Sequence, residues 1–161
     1  MRVNRPLSTQ FARCGILVIA VILSGCGGGD RKGADLRRKE ADHLLAEADF
    51  AVNLREWTRA EGLLLKAAER VPDDGEIWVS LGAARVLRGD KTQARAAYEK
   101  ALSVYSGAAS EKSGASAGPW LRQVHVLVLL GREKDARTLL EKAGRRLDGN
   151  REVKDFIANR G

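Results

Sequence analysis

The stretch GEIWVSLGAARVLRGDKTQARAAYEKALSVYSGA, residues 75–108, decides the fold of this chain of 161 residues. Its second half sets Ala94, Ala97, Tyr98, Ala101, Leu102 and Tyr105 at spacings of three, four and seven, which is one face of a helix. At an offset of 34 positions towards the N-terminus the same face reads Ala60, Leu63, Leu64, Ala67, Ala68 and Val71. At an offset of 42 towards the C-terminus it reads Ala136, Leu139, Leu140, Ala143, Gly144 and Leu147, where only Gly144 breaks the apolar rule. Self-similarity at such a period marks stacked units, none of which can bury its apolar face alone.

The residues between these faces resemble the tetratricopeptide repeat, a 34-residue helix pair. In residues 75–108 the family signature is carried by Trp78, Leu81 and Gly82 in the first helix, Gly89 at the turn, and Ala94, Tyr98 and Ala101 in the second. Arg85 stands where the family has a tyrosine and Ser106 where it has a closing proline. The unit at about 41–74 keeps Ala48, Trp57, Ala60, Leu64, Ala67 and Pro72, with Leu44 for the tryptophan, Glu47 for the leucine and Arg55 for the turn glycine. The unit at about 117–150 keeps Trp120, Gly131, Ala136, Leu140 and Ala143, with Gln123, Val124 and Asp148 as departures.

The resemblance implies an all-α fold, a right-handed α-solenoid of about three helix hairpins. Small residues belong where the helices of a unit cross, so that the axes approach to roughly 8–10 Å. Asp73 with Glu76 and Asp90 with Gln93 have capping-box spacing, and Gly89 and Gly131 suit left-handed helix ends. Residues 106–119 (SGAASEKSGASAGP) are longer than a normal turn, and Pro119 suits the start of the next helix. At about 151–159 a terminal helix with Val153, Phe156 and Ile157 on one face is expected to cap the stack, making seven helices.

Ahead of the repeats, Arg2, Arg5 and Arg13 precede the uncharged core Gly15 to Leu23, the order of a secretory signal peptide over 1–25. The core is shorter than the roughly 20 residues that a membrane-spanning helix needs. Leu23-Ser24-Gly25-Cys26 resembles the lipobox of bacterial lipoprotein precursors, which implies that Cys26 becomes the first mature residue and carries lipid. Cleavage would remove Cys14, the only other cysteine, leaving no thiol for a disulfide, metal site or nucleophile. Residues 26–34, rich in glycine, read as a flexible tether, and the helical domain as 35–161. Gly27 follows the lipidated position where enterobacterial inner-membrane retention uses Asp, so the resemblance leans towards an outer-membrane anchor facing the periplasm.

Removing the leader takes away three arginines and no acids, so the formal charge falls from +7 to +4. Arg31, Lys32, Arg37, Arg38 and Lys39 lie beside the anchor, yet Glu40, Asp42, Glu47 and Asp49 interrupt any basic face of the kind nucleic acid requires. Neither His43, four residues from Glu47, nor His125 has a companion nucleophile, metal-ligand set or glycine-rich phosphate loop. No cofactor, metal or catalysis is therefore expected. Carried over residue by residue, the family's concave groove falls on Leu45, Asp49 and Val52, on Val79, Ala83 and Val86, and on Leu121, Arg122, His125 and Val128. Only Arg122 suits a carboxylate clamp, so the resemblance implies a protein or peptide partner with aliphatic anchors and an envelope adaptor or scaffold. Two alternatives are a structural assembly factor, and a membrane-surface binder acting through Arg31 to Lys39.

Overall fold

The computed structural model describes residues 29–109, 116–147 and 150–158. The chain divides into two units, residues 1–34 and 35–161; of the first, only 29–34 are described. The leader, Cys26 and residues 110–115 of the long connection lie outside the described residues.

Seven helices are present among the described residues: α1 (Gly29–Asn53), α2 (Trp57–Arg70), α3 (Gly75–Arg88), α4 (Lys91–Ala108), α5 (Gly118–Leu129), α6 (Glu133–Arg146) and α7 (Arg151–Ala158). The architecture is an all-α solenoid of three helix hairpins, α1–α2, α3–α4 and α5–α6, closed by α7. From α2 onwards each helix packs on its successor. The core is correspondingly continuous. Ala48, Leu64, Leu81, Ala84 and Ala97 join the first two hairpins, and Ala94, Tyr98, Ala101 and Tyr105 meet Val126 of the third. Val153 of α7 packs with Ala117, Trp120, Ala143 and Leu147, and Phe156 reaches the Val124, Leu127 and Ala136 cluster.

Small residues allow this approach. A Cβ on Gly82 would meet Tyr98 Cδ1 at 2.6 Å, and one on Gly75 would meet Tyr105 Cε1 at 2.5 Å, so both tyrosine rings pack directly against α3 backbone. Tyr98 and Tyr105 are buried by that contact, and burial raises both phenol pKa values.

The first helices of all three hairpins end in the same way. Gly89 donates to Val86 O and Asp90 to Arg85 O; Gly131 donates to Val128 O and Arg132 to Leu127 O. At the matching place Arg55 donates to Val52 O and Glu56 to Ala51 O. This is the Schellman pattern, with φ of 93° at Gly89, 70° at Gly131 and 61° at Arg55. Arg55, a departure from the turn glycine, thus keeps the glycine's left-handed geometry.

Three boundaries differ from the sequence expectation. α1 starts at Gly29, so residues 29–34 are helical and not part of a tether: once 35–53 have formed the helix, each added residue gains a hydrogen bond without a new nucleation cost. The α3 cap is Asp74 and not Asp73; with Gly75 held under the Tyr105 ring, Asp74 is the extended residue whose Oδ1 accepts from Glu76 N at 2.9 Å. α4 continues to Ala108, past the expected loop start at Ser106. The cap at Asp90 follows the expectation: its side chain accepts from Gln93 N at 2.9 Å, and that hydrogen bond lowers its carboxyl pKa.

Polar departures from the repeat signature are paired. Buried Glu61 of α2 accepts from Arg85 Nε at 2.8 Å and also meets Arg88 Nη1, while Arg85 Nη1 donates to Gln93 O of α4 at 3.1 Å. Buried Gln123 donates from Nε2 to Tyr105 O at 3.2 Å and accepts from Ser106 Oγ at 3.2 Å. Two departures, Ser106 and Gln123, therefore satisfy each other.

Three outcomes follow for urea denaturation of the chain. Gly82→Ala overpacks the α3–α4 crossing and destabilises by about 1–3 kcal/mol, whereas Gly62→Ala, with nothing within 4 Å of the new Cβ, stabilises by about 0.5–1 kcal/mol. Glu61→Ala strands the largely buried Arg85 charge and destabilises by about 3 kcal/mol; a loss below about 1 kcal/mol would contradict the pairing of Glu61 with Arg85 as a buried ion pair.

Candidate partner-binding groove

The ten groove residues stand on α1, α3 and α5, the first helices of the three hairpins. Nine of them fall in three rows of three, because offsets of 34 and 42 relate their positions. Leu45, Val79 and Leu121 form the row nearest the helix starts. All three are half-buried and lean on core clusters, Leu45 beside Leu64 and Leu81, Val79 beside Tyr98, and Leu121 beside Trp120. The middle row, Asp49, Ala83 and His125, is exposed. Val52, Val86 and Val128 form the third row; Val52 and Val128 are half-buried, and Val86 is 47% exposed.

This arrangement follows from helix periodicity. Steps of four and three keep each trio on one stripe, roughly a turn apart, and away from the stripes that meet the hairpin partner. Ala48 and Ala51, and likewise Leu81 and Ala84, occupy the buried stripes. The groove stripe is therefore aliphatic at both ends with a small or polar middle.

Arg122 stands apart from the rows. Its Nε lies 3.0 Å from Glu76 Oε1, and its guanidinium sits 5.8 Å above the Tyr105 ring. Glu76, which the sequence offers to a capping box with Asp73, turns instead towards α5. An exposed ion pair of this kind contributes at most about 1 kcal/mol, and it commits the cation that the sequence offers as a clamp. His125 is exposed, and His43 Nδ1 pairs with Glu47 Oε1 at 3.1 Å on α1. Among the described residues no group of three or more His, Cys, Asp or Glu side chains could hold a metal ion. No described helix is long and apolar enough to cross a membrane.

One concavity adjoins the third row. Val128 lines a cleft of about 410 Å³ between α5 and α6 with Val124, Glu133, Ala136, Arg137 and Leu140. Sequence reading gives Val124 as a departure from the signature and misses the cleft, because its shape depends on how α5 and α6 pack. The periodicity of Val124, Val128, Ala136 and Leu140 was the only available signal.

No family model matches the sequence, and no curated protein matches it. Among solved structures, the fold is similar to the Arabidopsis OM64 TPR domain, with 17% identity, a TM-score of 0.45, and coverage of 76% of this chain and 95% of that one. It is also similar to the Yersinia enterocolitica type III secretion chaperone SycD, solved in complex with a peptide of the translocator YopD, with 18% identity, a TM-score of 0.43, and coverage of 73% and 84%.

Proposed function

We propose that this chain is a lipid-anchored adaptor of the bacterial cell envelope, binding a protein or peptide partner along α1, α3 and α5 without catalysing a reaction. The observation that carries the reading is the alignment of three rows on successive first helices, with aliphatic rows on either side of an open Asp49, Ala83 and His125 row. A partner helix or extended segment offering aliphatic side chains at regular spacing buries them against Leu45, Val79 and Leu121 and against Val52, Val86 and Val128. Each side chain so buried contributes about 1.5–3 kcal/mol before the costs of association. Asp49 and His125 fix register at the two ends. In this reading Cys26 carries the lipid, and the repeats work at the periplasmic face, with the outer membrane favoured.

Of the alternatives, direct membrane binding through Arg31 to Lys39 draws less support. Arg38 Nη1 lies 2.5 Å from Asp74 Oδ2 and its Nε 3.6 Å from Asp42 Oδ1, so one of the five cations serves the fold.

Ala83→Glu with Val86→Glu places two charges on exposed groove positions. Capture of partners from a cross-linked envelope pull-down should fall at least about tenfold with helical circular dichroism unchanged; undiminished capture moves the contact off this face. In cell fractionation, Cys26→Ser should shift the protein from membranes to the soluble periplasmic fraction. Unchanged membrane retention would refute the lipid anchor and leave the groove reading standing.

A further inference from the structure

The way each hairpin meets its predecessor exposes a face that no described helix covers. α5 packs backwards on α4 through Gln123, Val126 and Leu130, the first through hydrogen bonds and the others within the Tyr98 and Tyr105 cluster. An offset of 42 carries these positions to Leu81, Ala84 and Arg88 of α3, which meet Leu64 and Glu61 of α2. A further offset of 34 carries them to Glu47 and Phe50 of α1 and to Leu54 just past its end. In the later hairpins Leu81, Ala84, Gln123 and Val126 of this stripe are buried and Leu130 is half-buried, while Arg88 is exposed and held by Glu61. On α1 Phe50 is 59% exposed and Leu54 51%, and Leu36, two turns before His43 on the same stripe, is 59% exposed. Three large apolar side chains on one face of a helix otherwise rich in charge are an uncovered interface.

The charges on this face identify what covers it. Lys39 and Glu47 lie four residues on either side of His43. Two copies of α1 packed antiparallel about His43 set Leu36 against Phe50 of the other copy and Lys39 against Glu47 of the other copy, each contact made twice by symmetry. A parallel pairing would oppose Lys39 to Lys39 and Glu47 to Glu47. Glu40 on the flank is held by Arg70 at 3.0 Å and Glu47 contacts His43 of its own helix at 3.1 Å, so the antiparallel pairing adds Lys39 of the other copy to an existing His43–Glu47 contact. We propose that the face of α1 carrying Leu36, His43, Phe50 and Leu54 is a homodimer interface, formed by antiparallel pairing with a second copy of this chain. From residue 36 to its last residue, 53, the helix runs roughly 26 Å.

Sedimentation equilibrium of the full chain in detergent tests this. The unaltered chain should approach the dimer mass at tens of micromolar, and Phe50→Glu should weaken association at least about tenfold without loss of helical circular dichroism. Charge reversal keeps the test independent of Phe50: Lys39→Glu alone and Glu47→Lys alone should each dissociate the dimer. The chain carrying both should associate again, and so should an equimolar mixture of the two single variants. A chain that stays monomeric, or a dimer indifferent to these substitutions, would overturn the proposal. So would a monomeric chain that binds phosphatidylglycerol vesicles through Phe50, which would assign the face to a lipid surface.

Discussion

The close approach of α3 to α4 constrains everything else in the structure. With Gly82 beneath Tyr98 and Gly75 beneath Tyr105, the two rings fill the crossing and present their outer surfaces to α5, where Val126 and Leu130 pack. The stacking of the third hairpin on the second thus depends on two positions that lack a Cβ. Tyr105 also carries the chain of polar contacts outwards, since its carbonyl holds Gln123 and its ring lies under Arg122. Widening the crossing would release the third hairpin and, with it, the alignment of the groove rows.

The residues that depart from the repeat signature show how a helical stack tolerates polar groups in its joints. A buried hydrogen-bonding group without a partner costs about 1–3 kcal/mol, so a single polar replacement is destabilising while a matched pair is not. Arg85 finds Glu61 on the preceding helix, and Gln123 finds Ser106. Each pair joins two hairpins or two helices that the apolar core already brings together. Their directionality fixes the register of one element on the next, which interdigitating alanines alone leave loosely defined.

Much of this was legible in the sequence because it rests on local chemistry and on period. The helix faces, the glycines at 89 and 131, the cap at Asp90 and the terminal helix all follow from spacing within one unit. The alignment in rows of nine of the positions that the resemblance implies follows from the same offsets of 34 and 42. What the sequence did not show depends on contacts between helices and on turn geometry. Asp74 displaces Asp73 as a cap because Tyr105, 30 residues away, fixes Gly75; Arg122 is engaged because Glu76 turns to meet it; and Arg55 adopts a left-handed conformation because the turn geometry of its neighbours requires it. The exposed stripe of α1 is not legible for a related reason: Phe50 and Leu54 stand at offsets of positions that pack on a preceding helix, and only the structure shows that no described helix covers them.

The account turns on the first helices being the face that meets a partner. Site-directed photo-cross-linking in living cells measures this directly, with a benzophenone side chain at Ala83, in the open middle row, compared with one at Glu99, exposed on the second helix of the same hairpin. The account predicts a discrete cross-linked species, distinct from a dimer of the chain itself, at Ala83 and none at Glu99. Cross-linking at Glu99 with none at Ala83 would contradict it and place recognition on the opposite face of the stack.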